Sequence, residues 1–164
     1  MKARPIATYL NNHLAGAAAA LSLLQKLTDS QKVPEDRRFY TSLLAEITRD
    51  KESLEDLLKR LGEDTGTMRQ LLGNLSGRAS QLGLVGEGLD PGDLGLFEAL
   101  EILVIGISGK CLLWKILSAV SADYPAWSGV DFPALEARAI DQRALVETRR
   151  MQAGAEALAA AITR

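Results

Sequence analysis

Residues 34–61 read PEDRRFYTSLLAEITRDKESLEDLLKRL, and their spacing decides the fold class. Phe39, Leu43, Ile47, Asp50, Leu54, Leu57 and Leu61 recur every three or four residues. That is the period of one face of an α-helix, on which residues three and four apart stack above one another. Pro34 suits the first turn of such a helix, where its missing N–H would have no partner anyway. Gly62 suits the cap at the other end. Asp50 is out of place on this stripe, a carboxylate at a position that should face a core.

The pattern repeats on both sides. Upstream, residues 4–28 carry Ile6, Leu10, His13, Ala17, Leu21 and Leu24 on one stripe, and Thr28-Asp29-Ser30 ends it. Downstream, Asp90-Pro91 punctuates a helix over 92–121. The Tyr124–Gly129 stretch reads as a turn. Asp131 and Pro133 then start a last helix over 132–162, whose stripe is Leu135, Ala139, Gln142, Val146, Arg149 and Ala153. No alternating Val/Ile/Thr run is bounded by hairpin signals, so strands are not expected. The expectation is one all-α domain over residues 1–164, a four-helix bundle.

The 63–91 link sets the topology. Met68, Leu71, Leu72, Leu75, Ala79 and Leu82 predict a short amphipathic helix inside it, and residues 83–88 read as loop. Each long helix spans roughly 40 Å at ~1.5 Å per residue. An up-down bundle needs only a short loop here, whereas this link can retrace the bundle's length. The second and third long helices are therefore expected to run parallel, the ferritin-like arrangement with a long crossover.

Composition narrows the function. The chain has 164 residues, 47% apolar and 24% charged, a balance that argues against disorder. A net charge of −2 offers no footprint for nucleic acid. One Cys and one His exclude an internal disulfide and a structural zinc site and point to a reducing cytoplasm. Met1-Lys2-Ala3-Arg4 ahead of residues 14–24 has the look of a signal peptide, but Asn11, Asn12 and His13 interrupt the run, and it is read as a helix of the mature protein. Residues 94–120 contain Glu98, Glu101, Lys110 and Lys115, which are costly in lipid, so no membrane partner is expected.

The polar residues on apolar stripes are the candidate site. Counting across the turn near 29–34 puts His13 level with Asp50, with Glu46 one turn away. The 92–121 helix is apolar on nearly every side and is expected to be largely buried, yet Glu98, Glu101 and Ser108 share one stripe and Lys110 lies on the other. Across the second turn, Lys110 falls level with Gln142, and Glu101 with about Met151, so Glu101 is expected to pair with Arg149 or Arg150. In the crossover topology His13 and Asp50 lie level with Ser108, Lys110 and Gln142, with Glu46 closer to Glu101 and Arg149. His13 beside Asp50 would favour its charged form.

These residues also carry a resemblance. Residues 9–16, Tyr9-Leu10-Asn11-Asn12-His13-Leu14-Ala15-Gly16, resemble the opening motif of a group of small uncharacterised bacterial proteins. Glu46-Ile47 with Asp50, Glu98 with Glu101, residues 106–110 and Leu113-Trp114 extend the likeness to about Arg150. The resemblance implies a ferritin-like bundle of unassigned function. Asn12 stands where that family more usually has Asp, which removes a possible ligand.

A dinuclear metal site needs Glu-x-x-His on two helices. This chain has Glu46-x-x-Arg49 and Glu147-x-x-Arg150 instead, and a guanidinium has no lone pair to give. No cofactor, metal or catalytic residue is assigned. The leading expectation is a non-enzymatic binding or scaffolding bundle that self-associates, with a buried polar cluster of Tyr9, His13, Glu46, Asp50, Glu98, Glu101, Ser108, Lys110, Gln142 and Arg149 in place of a di-iron centre. The alternative is a bundle that uses those carboxylates and the imidazole on a metal or an unidentified small ligand.

Overall fold

The computed structural model describes residues 5–62 and 92–159, and the expected crossover with its short helix lies outside them. The described residues form four long helices with no strand: α1 Pro5–Ser30, α2 Pro34–Arg60, α3 Asp93–Val120 and α4 Phe132–Ala159. Among the described residues, no helix is long and apolar enough to cross a membrane.

Local chemistry fixes the turns. Pro34 sits in the first turn of α2, with Glu35 and Asp36 near its positive end and Lys59 and Arg60 in its last turn. Gly62 closes that helix at φ 74°, a left-handed geometry that favours glycine, and its N–H donates to Lys59 O at 3.0 Å. Two short 3₁₀ turns, Ser121–Asp123 and Pro125–Trp127, join α3 to α4. The Asp131 carboxylate then accepts from the Ala134 N–H at 3.0 Å, capping α4.

The helices meet in two apolar halves. One half joins Leu10 and Leu14 of α1, Leu54 and Leu57 of α2, Trp114 and Leu117 of α3, Trp127 of the second 3₁₀ turn and Phe132 at the start of α4. The other joins Leu24, Leu43, Leu100 and Val146 with their neighbours. The first half therefore gathers the C-terminal ends of α2 and α3, and the second their N-terminal ends. The two helices run parallel, and Gly62 and Gly92 stand at opposite ends of the bundle. Trp127 ties the first end together: it is buried, and its indole N–H donates to Leu57 O at 3.1 Å.

One expectation about α3 is corrected. It is not buried on all sides, because its outer face carries Leu94, Ile105 and Leu112, with Ile105 and Leu112 each 66% exposed. Only the stripe with Leu103, Ile107 and Trp114 faces the core. Glu98 and Glu101 lie on the open face and are exposed. Water solvates both carboxylates at no burial cost.

Candidate functional site

Between the two apolar halves lies a polar waist. Asp50 of α2 is the most buried charge there, with a side chain 3% exposed. Lys110 of α3 donates to its Oδ2 at 2.5 Å. From α4, Arg138 forks onto Oδ1, with Nε at 2.8 Å. Gln142 reaches Asp50 Oδ2 at 3.2 Å and Glu46 Oε2 at 3.1 Å through the same amide nitrogen, while its carbonyl oxygen accepts from Lys110. Three helices thus converge on one carboxylate, and both of its oxygens hold a cation.

The geometry explains why these residue types sit here. A lone buried carboxylate is expensive, and the expense falls when opposite charge and hydrogen bonds saturate it. Lys110 enters at 13% exposure, and burial pulls its ammonium below the usual lysine range even though Asp50 pulls it back up. Burial thus outweighs the pairing for Lys110. Arg138 is 38% exposed, so its guanidinium bridges the cluster to water.

His13 does not join this cluster. Among the described residues it has no hydrogen bond to Asp50; its ring meets the edge of Tyr9 at 4.7 Å between centroids. The expected His13–Asp50 pair is therefore corrected, because Lys110, Arg138 and Gln142 take the carboxylate first. The expected protonation is corrected with it: burial lowers the His13 pKa and favours neutral imidazole.

The other expected residues scatter. Glu101 meets Arg150 at 3.4 Å on the outer face. Arg149 pairs instead with Asp36 at the start of α2 and lies over the Phe39 ring, 4.3 Å from its centre. Glu46 binds Gln142 rather than approaching Arg149. The Ser108 hydroxyl turns back to Val104 O at 2.8 Å, which leaves it no part in the waist. Arg138 was missed, although it sits one turn before Gln142 on the inward side of α4, a spacing that could have found it.

A cavity of about 90 Å³ adjoins the waist, lined by His13, Gly16 and Ala17 of α1, Ile47 and Asp50 of α2, and Gly106, Lys110 and Trp114 of α3. It exists because α1 offers only small side chains from Gly16 to Ala20 at the level where the apolar halves part. Trp114 is 1% exposed, and its indole N–H has no acceptor among the described residues.

The arrangement does not fit a dinuclear metal. Both oxygens of Asp50 carry cations, Glu98 and Glu101 face water, and among the described residues His13 makes no hydrogen bond or ion pair with a carboxylate. Among the described residues no three His, Cys, Asp or Glu side chains gather into a group able to hold a metal ion.

The fold and site together define a four-helix bundle with a charge-balanced waist. No family model matches the chain, and no curated protein and no solved structure matches it. No bacterial or ferritin-like family is shown for the chain.

Proposed function

We propose that this chain is a ferritin-like bundle that works without catalysis, as a binding or scaffolding protein, and that the Asp50 cluster replaces a di-iron centre. One observation carries the reading: Lys110 and Arg138 occupy both oxygens of Asp50, the one deeply buried carboxylate among the described residues. A metal there would have to displace two cations already held in a low-dielectric site. The parallel α2 and α3 support the ferritin-like topology, and the lone Cys111 supports a reducing cytoplasm as the setting. Metal analysis of protein purified without chelator tests the reading. Trace metal is expected; stoichiometric iron, manganese or zinc would overturn it in favour of the metal-binding alternative.

A specific observation favours self-association as a second role. Leu94, Ile105 and Leu112 are exposed together on the outer face of α3, an apolar surface that a second copy would cover. Light scattering across concentration is expected to show a dimer, and a monomer at every concentration removes this reading.

A further inference from the structure

We propose that the cavity between α1, α2 and α3 is a binding site for a small, uncharged, mostly apolar molecule that carries one hydrogen-bond acceptor, to which the Trp114 indole N–H donates. The proposal rests on the binding role proposed above and names the ligand class. Three observations on the wall of one cavity support it.

The first is the orphan donor. An indole N–H is a donor only, and buried donors in folded proteins nearly always have a partner. Trp127 obeys that rule through Leu57 O at 3.1 Å, while Trp114 breaks it beside an open volume. An acceptor entering that volume removes the penalty of an unmet donor.

Charge comes second. Around the waist, Asp50 and Glu46 stand against Lys110 and Arg138, two carboxylates against two cations. Burial keeps His13 neutral. Lys51, the other cation on the cavity wall, is paired with Glu55 at 2.5 Å. A charged guest would find every counter-ion on the wall already paired, and desolvating it would be costly. A neutral guest meets mostly apolar walls, Ile47, Ile107 and Leu113 among them.

Size and access are third. About 90 Å³ exceeds one water's share of about 30 Å³ and is less than the ~150 Å³ of an apolar cavity known to take benzene. A compact molecule of a few heavy atoms fits. Gly16 and Gly106 line the cavity and are themselves exposed, and a Cβ added at either would meet nothing within 4 Å. They mark the opening on the α1 and α3 sides.

Acetone and isobutene have the same shape and four heavy atoms each, differ in one acceptor and serve as probes. In ¹H–¹⁵N spectra of the full chain, acetone is expected to shift the Trp114 indole signal saturably and to leave the Trp127 signal in place. Isobutene should bind about tenfold more weakly, the ratio that one hydrogen bond to a buried donor supplies. Gly106→Leu, and Gly16→Leu as a second variant, should close the opening and abolish the shift. Both replace a glycine inside a helix at an open position, so their denaturant midpoints should not fall. An unmoved Trp114 signal, equal binding of the two probes, or undiminished binding in both variants would overturn the assignment. Stoichiometric metal would sink the non-catalytic reading while this titration still reports on the cavity, so the two fail separately.

Discussion

Asp50→Asn is the sharpest perturbation of the waist, because it keeps the shape and removes the charge. The variant leaves the Lys110 ammonium 13% exposed with no anion on it. Stranding one partner of a buried pair costs about 3–5 kcal/mol. Arg138 adds little, since at 38% exposure it can turn to water, where such a pair contributes at most about 1 kcal/mol. The expected loss is therefore about 3–5 kcal/mol, a large share of a typical domain's stability of about 5–15 kcal/mol. In urea that lowers the midpoint by about 1–2 M, with m near the upper end of its usual ~1–3 kcal/mol/M. Lys110→Met alone should cost less, because Arg138 and Gln142 still hold Asp50. The double variant should recover at least ~2 kcal/mol relative to the sum of the singles, since with Met at 110 no buried ammonium is left stranded by the loss of the Asp50 charge. A loss under about 1 kcal/mol for Asp50→Asn, or strict additivity in the cycle, would refute the waist as a buried, coupled unit.

Three further outcomes are expected. Because burial lowers the His13 pKa, the unfolded chain takes up a proton near its ordinary value of 6.5 that the folded chain refuses, so stability should fall as pH drops through 6.5 and level off below the folded pKa; urea midpoints against pH should show this limb, and His13→Gln should flatten it. Gly154→Ala should destabilise by about 1 kcal/mol in the same assay, since its Cβ would lie 2.7 Å from Phe97 and the crowding outweighs the helix-propensity gain, whereas Gly106→Ala in open space should stabilise by about 0.5–1 kcal/mol. Trp127→Phe should cost about 1–2 kcal/mol, because it deletes the bond to Leu57 O that ties the α3–α4 turn to the end of α2.

Much of the fold was legible because a helical stripe is a one-dimensional signal. The α2 stripe from Phe39 to Leu61, the Pro34 start, the Gly62 cap and the Asp131 cap follow from spacing and local backbone chemistry. The parallel course of α2 and α3 followed from the length of residues 63–91. Inter-helix levels were legible as well: counting across the turns put Lys110 beside Gln142 and Glu101 beside Arg150. Rotation of each helix about its axis was not. The α3 stripe and its opposite are both apolar, so periodicity could not say which one faces the core, and Glu98 and Glu101 came out on the wrong side. The choice of partner for Asp50 was equally hidden. His13 lies level with it, yet reach and charge favoured Lys110 and Arg138, whose long side chains cross from neighbouring helices to the carboxylate.

Lys110 and Asp50 are locked together inside the bundle. The Lys110 side-chain ammonium signal in ¹⁵N NMR reports on that lock. Nζ protons that exchange slowly with water, and a signal that moves strongly in Asp50→Asn, are expected. An ammonium that exchanges as fast as a surface lysine's, and that ignores that substitution, would contradict it.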